Sequence, residues 1–452
     1  MVRIKRYISL FLILLLALST STCTFHEGAP RPSEPETSQG GDAGSQGHGA
    51  GSGETDNNGQ STGGTQNQEG DDTAMSGKGN GSGEGAGAGG GMDADAGTGA
   101  DTETAEGTDA GSDTDTGSNT DTDSGTESDT RPGETLPPPV FGFIDAHADT
   151  ITRALLPHNN AGLFRNKLHV DFERLSEFNA PVQVFVLWCA DRYVANAFEY
   201  TNSLIDFFES EVAKHSDIIE IALTLGDLRR NAQNNKISAI LSIEGGEALM
   251  GKLENVDHFY NRGVRIMSLT WNRENELGYG QATGSKEGLK PFGEAVLKRM
   301  EELGIIMDVS HINEKGFWDA HDLSTRPYMA SHSNAFTVTP HDRNLKDDQI
   351  RAIAGSGGIV GLVLYPLILS QRSSANINDY MAHIRHFNAL GAGANLGLGS
   401  DFDGFGTMPE GFTDVSSYKM LAEKIAEEFD EDTSRRIMYG NFYDFFVRYF
   451  EG

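Results

Sequence analysis

From residue 140 onward, short runs of β-branched and apolar residues alternate with longer stretches whose apolar positions recur at helical spacing. The strand-like runs fall at 140–147, 182–189, 237–243, 264–270, 305–309, 328–331, 359–365 and 395–400. Between them lie amphipathic segments, including 195–214, 291–303, 347–354 and 377–390, the second opening on Pro291, which suits a first helical turn. Short apolar strands separated by helices predict a parallel sheet covered on both faces. Eight such units predict an α/β fold of the (β/α)8 TIM-barrel type over residues 139–452, with an open doubly wound sheet as the alternative.

The pattern vanishes upstream. Residues 24–138 are almost entirely Gly, Ser, Thr, Asp, Glu, Ala, Asn and Gln. So few large apolar groups cannot offset chain entropy, and the segment is expected to be a disordered linker. It holds 23 acidic residues against three basic ones, so most of the formal charge of −31 belongs to this spacer. About 110 flexible residues span roughly 55–60 Å r.m.s., more with charge repulsion. No basic cluster appears anywhere, which argues against a nucleic-acid partner. Residues 1–23 place Arg3, Lys5 and Arg6 before an apolar run too short to span a bilayer comfortably, the form of an export signal. Cys23 stands where a bacterial lipoprotein cysteine would be acylated, although Thr20 and Thr22 depart from the usual flanks. The protein is therefore expected to be exported, either tethered to the membrane through Cys23 or secreted. Two cysteines exclude a disulfide framework, and Cys189, inside an apolar run, is expected in the core.

Barrel enzymes carry their chemistry at the carboxyl ends of the strands, and five of the eight candidate strands end in His or a carboxylate. His147 and Asp149 follow the first strand, Glu244 the third, His311 the fifth, His332 the sixth and Asp401 the eighth. His147 and Asp149, two apart on an extended chain, would share a face. Glu244 can bridge two ions, with His311 and His332 completing the ligand set of the second ion. Imidazole with carboxylate suits Zn²⁺, with Mn²⁺ or Co²⁺ as alternatives. Two such ions can hold a bridging hydroxide, and Asp401 can pass its proton to a leaving nitrogen. Asp145, Glu247 and Asp308 are expected to orient ligands or cap turns, and Asp403 to support the site or a tight turn. His169 is left open, and the remaining histidines follow no ligand pattern. From residue 139 onward a Gly-x-Ser-x-Gly elbow is absent, so a serine hydrolase lacks its signature in the globular part.

Across residues 141–450 the chain resembles the membrane (renal) dipeptidase family of amidohydrolase-like barrels. The resemblance rests on His147-Ala-Asp149, Ile243-Glu244-Gly-Gly246, Asp308-Val-Ser-His311, Ser331-His332-Ser333, Arg343-Asn-Leu345 and Asp401-Phe-Asp403-Gly404. It implies two Zn²⁺ per chain held by His147, Asp149, Glu244, His311 and His332, with Glu244 as the bridge and Asp401 as the proton shuttle. It also implies that Arg343 pairs with the substrate's free carboxylate, a task its planar fork suits. Tyr365 is a candidate pocket residue or a structural aromatic. The implied substrates are dipeptides, including those with a D-residue second, and the implied assembly is a homodimer. One departure stands out: a family histidine after the fourth strand is replaced by Trp271, with Asn272 or another side chain to substitute for it. The competing readings are another binuclear amidohydrolase, acting on a lactone, an N-acyl amino acid or a β-lactam, and a non-catalytic surface-binding barrel.

Overall fold

The computed structural model describes residues 142–451 apart from Pro157 and His158. The expected export signal, Cys23, the spacer and the first two positions of the 140–147 strand lie outside the described residues. The strands are β1 (Ile144–Ala148), β2 (Val182–Trp188), β3 (Ile219–Ile221), β4 (Ile237–Glu244), β5 (Val264–Ser268), β6 (Ile306–Asp308), β7 (Met329–Ala330), β8 (Ile359–Leu362) and β9 (Leu396–Leu398). All pairings between them are parallel, in the order β2-β1-β9-β8-β7-β6-β5-β4, and a β2–β4 ladder from Val182/Ser238 to Trp188/Glu244 closes the circle. The sheet is thus a closed eight-stranded barrel, and the open alternative falls away. Each predicted strand run contains one barrel strand. The short β3 was not predicted; it pairs only with the first three residues of β4, before β5 takes over that edge at Leu241.

The helices follow their amphipathic segments closely. Pro291–Leu303 begins on its proline and ends at Gly304, whose φ of 81° makes a left-handed cap. Phe172, Phe185 and Phe208 pack between the barrel wall and the helix layer.

A second cluster fills the barrel. Ile144, Val182, Ile240, Ile266, Ile306, Met329 and Ile359 come from seven different barrel strands and meet Phe442, Phe445, Phe446 and Tyr449 of the helix Asn441–Glu451. The eighth strand, β9, contributes Gly397, where a Cβ would overlap the Phe442 ring. That aromatic helix closes the amino-terminal end of the barrel, which leaves the carboxyl-terminal rim as the place where polar groups can gather.

One buried contact beneath that rim gives the fold a pH dependence. His383, on the helix Ile377–Ala389, is fully buried; its Nδ1 accepts from the Ala335 amide at 3.2 Å and its Nε2 donates to the Leu369 carbonyl at 3.0 Å. The neutral ring satisfies both partners, whereas protonation would set Nδ1–H against the Ala335 N–H. Burial pushes its pKa down from 6.5 to about 4. The unfolded chain therefore takes the proton first as pH falls. The contribution is intact above pH 6.5 and disappears towards pH 4, on the order of 3 kcal/mol in all. In chemical denaturation between pH 4.5 and 7, His383→Gln should show a shallower loss of stability with acid than the parent; equal slopes would assign the loss elsewhere.

Candidate metal centre

His147 lies within β1, Glu244 is the last residue of β4, and His332 follows β7 by two residues. His311 and Asp401 sit just past β6 and β9 in left-handed backbone, with φ of 68° and 62°. Such strain in non-glycine residues persists only where surrounding structure enforces it. Glu244 Oε1 stands 3.0 Å from His311 Nε2, 3.5 Å from His332 Nε2 and 3.6 Å from His147 Nε2. His147 Nε2 is also 3.7 Å from Asp149 Oδ2 and 4.0 Å from Asp401 Oδ1. The result is two overlapping donor groups, His147–Glu244–His332 and His147–Asp149–Asp401. His147 and Asp149 do lie on one side of the chain, as their two-residue spacing predicts. Asp149 (φ −83°, ψ 14°) then turns the chain into the short helix Thr150–Ala154.

Hydrogen bonds fix which nitrogen each imidazole offers. Ser331 Oγ donates to Asp308 Oδ2 at 2.5 Å, so its lone pairs face His332 Nδ1 at 2.7 Å and His147 Nδ1 at 3.2 Å. Asn272 Oδ1 accepts from His311 Nδ1 at 2.8 Å. All three rings are thereby Nδ1–H tautomers with the Nε2 lone pair turned inward. His311 Nε2 and His332 Nε2 then face one another at 2.8 Å, lone pair towards lone pair and towards a carboxylate oxygen. His147 Nε2 and Asp149 Oδ1 are buried with no hydrogen-bond partner. Convergent lone pairs with orphaned acceptors fit a cation, and imidazole with carboxylate fits a borderline divalent metal.

Charge tells the same story. Burial, then the nearby Asp149 carboxylate and Asp401, hold Glu244 well above the usual carboxylate range. Burial and Asp149 do the same to Asp401. Burial keeps His311 and His332 far below the usual imidazole value, hence neutral, the form in which imidazole binds metals.

The outer residues take the supporting parts expected of them. Asp145 accepts from Ser400 N at 2.9 Å and Ser400 Oγ at 2.7 Å, tying β1 to the turn after β9. Asp403 accepts from Thr150 Oγ1 at 2.6 Å and the His169 amide at 2.7 Å, while its own N–H donates to His169 Nδ1 at 3.0 Å. His169 therefore does reach the rim, as a clamp on the Asp401–Asp403 turn. Gly404 lies against Asp401 and Asp149 so closely that a Cβ would overlap both carboxylates. Glu247 accepts from Asn275 at 3.3 Å and belongs to neither donor group.

Arg343 is 6% exposed. Its Nη1 donates to Ser333 Oγ at 2.8 Å and Nη2 to the His332 carbonyl at 2.9 Å, so it is anchored to the ligand-bearing segment with donors to spare. Burial lowers its pKa to about 10, which leaves it charged at neutral pH. Tyr365 is half-buried, and burial followed by the Asp401 charge pushes its phenol up, which places it beside the rim. Trp271 stacks edge-on against Trp188 at 5.0 Å and lies 6.3 Å from the His311 ring. Sequence reasoning singled out neither Ser331 as a shared orienting hydroxyl nor Trp188. Both lie at strand ends, where the polar-terminus pattern could have flagged Ser331.

Comparison with known proteins matches this geometry to a family. The model of the membrane dipeptidases (peptidase family M19) covers residues 140–447. An uncharacterized dipeptidase of Schizosaccharomyces pombe is 31% identical over 283 residues, covering 58% of this chain and 68% of the relative. A second from the same yeast is 34% identical over 206 residues, and there the match spans half the length of the relative and 45% of this chain. Among solved structures, a family M19 metallopeptidase named dipeptidase AC superposes with a TM-score of 0.65 at 27% identity, over 69% of this chain and all of that one. A metallopeptidase of Rhodobacter sphaeroides, liganded with a phosphinate mimic of L-Ala-D-Ala, gives 0.63 at 26%, over 68% of this chain and 99% of the other. A closed parallel barrel with this donor set on its rim, matched across nearly the whole described region, belongs to the membrane dipeptidase family of metallopeptidases.

Proposed function

We propose that the protein hydrolyses dipeptides, including those with a D-residue second, using two Zn²⁺ ions. The observation that carries this reading is the convergence of three inward-facing imidazole lone pairs on one oxygen of Glu244. His147 and Asp149 with Glu244 would hold one ion, and His311 and His332 with the same Glu244 the other. Bound there, the ions would supply a water activated at neutral pH and an electrophile for the scissile carbonyl. Asp401, 4.0 Å from His147 Nε2 at the edge of the donor set, is placed to take the proton from the attacking water and deliver it to the leaving amine. Arg343 would grip the free carboxylate with the donors it does not spend on Ser333 and His332. The phosphinate dipeptide mimic bound by the Rhodobacter sphaeroides relative supports the substrate class. Family membership and the complete donor set favour this over a surface-binding barrel or a lactone, N-acyl amino acid or β-lactam substrate.

Metal analysis of the purified protein should find two zinc ions per chain, with Ala-Ala hydrolysis lost on chelation and restored by Zn²⁺. Asp401→Asn should keep the metal while kcat falls ~10²–10⁴-fold. One ion per chain, or full turnover after chelation, would refute the binuclear scheme.

Removing the fork tests its role separately. Arg343→Met should raise KM ~10–100-fold for dipeptides with a free carboxylate and leave their amides nearly unaffected. An equal change for both would reduce Arg343 to a structural part.

We also propose that the chain is exported and tethered through Cys23, its spacer holding the barrel away from the membrane, and that it assembles as a homodimer. Labelled palmitate should enter the parent but not Cys23→Ala. Labelling of both or of neither would rule out the lipid anchor.

A further inference from the structure

The guanidinium of Arg343 is anchored at residues 332 and 333, but its backbone lies further along the loop after β7. That loop closes on itself. Leu345 N–H donates to the Asn334 carbonyl at 2.9 Å, and Phe336 N–H to the Leu345 carbonyl at 2.8 Å. Asn344, the residue next to Arg343, reaches in three directions. Its Oδ1 accepts from the Asn334 amide at 3.2 Å, and its Nδ2 donates to the carbonyls of Thr339 at 2.8 Å and Ile368 at 2.7 Å.

Ile368 belongs to the loop after β8. There the short helix Pro366–Leu369 follows Tyr365, and four residues are too few to give the last carbonyls intrahelical partners. Side chains of the Arg343 loop supply the missing donors. Asn334 Nδ2 joins Asn344 on the Ile368 carbonyl at 3.4 Å, and Thr339 Oγ1 donates to the Leu369 carbonyl at 3.0 Å. Asn334 also pairs with Val363, accepting from its N–H at 3.2 Å and donating to its carbonyl at 3.1 Å. His383 completes the bracket by joining the Ala335 amide to the same Leu369 carbonyl. Asn334, Thr339, Asn344 and His383 are all buried, where an unpaired donor or carbonyl is costly. The second loop is tied in turn to the residue before Asp401, Leu364 N–H donating to the Ser400 carbonyl at 3.2 Å.

Resting on the dipeptidase reading, a substrate must meet Arg343 with its carboxylate and Asp401 with its leaving amine at the same time. We propose that Asn344 is a positioning residue, which caps the helix after Tyr365, locks the loops after β7 and β8 into one unit and so fixes the span between Arg343 and Asp401. Asn334 and Thr339 share the task. The donor imidazoles are held by separate bonds, through Ser331 and Asn272, so loosening the bracket weakens the grip on substrate and leaves the metal centre in place.

The test uses the full zinc-loaded chain with Ala-Ala as substrate. Asn344→Ala should raise KM ~10-fold, change kcat by less than about threefold and keep the metal content of the parent. A purely structural part would instead lower kcat, through a smaller folded fraction, at constant KM, and that result overturns the proposal. Should Asn344→Ala fail to fold, the near-isosteric Thr339→Val removes only the bond to Leu369 and should raise KM about twofold to threefold. An unchanged KM there overturns the proposal. Hydrogen exchange reads the coupling without any substrate. In either variant the amides of 334–345 and 363–370 should exchange faster together, with the loops after β4 and β5 unchanged. Faster exchange in one segment only, or in neither, overturns the proposal. Turnover of no dipeptide by the parent overturns the dipeptidase reading instead, and the exchange result then decides whether the two loops form one unit.

Discussion

Glu244 ends β4 with one oxygen 3.0–3.6 Å from three imidazole nitrogens, all of them buried. Burying ionised groups costs several kcal/mol each unless a countercharge satisfies them, and the nearby fixed cation, Arg343, is turned to Ser333 and the His332 carbonyl. The cluster is thus folded around a need for positive charge. Much of the surrounding architecture holds this arrangement against its own repulsion. Ser331 and Asp308 lock two rings through one hydroxyl, and Asn272 locks the third.

The barrel can carry such a cluster because its two ends do different work. At the amino-terminal end, apolar side chains from seven strands share one buried cluster with the aromatic residues of the last helix, and Gly397 makes room for the Phe442 ring. That packing needs no polar partner and stabilises the closed sheet from below. The opposite end is then free to hold strained, polar and repelling groups. His311, Asp401 and Asp403 all adopt left-handed backbone there. The Asp403–His169–Thr150 bonds hold the last of these turns in place.

Arg343 links the two parts of the site. Anchored on Ser333 and the His332 carbonyl, it is positioned by the same segment that presents a donor imidazole, so the carboxylate grip proposed for it would keep a fixed spacing from the donor set.

The barrel itself was legible in the sequence, because strand and helix periods differ and eight β-branched runs recur between amphipathic stretches. So was the set of residues that converge at one place, since a parallel barrel puts every strand's carboxyl end on one rim and the residues there were His, Asp and Glu. The sequence was silent on β3, three residues long and paired to half a strand, which is too short to carry a period. The choice of tautomer, the double use of Ser331 and the His169 clamp belong to the tertiary structure alone. Each depends on side chains far apart in the chain meeting within hydrogen-bond distance, and no local pattern along the chain encodes that distance.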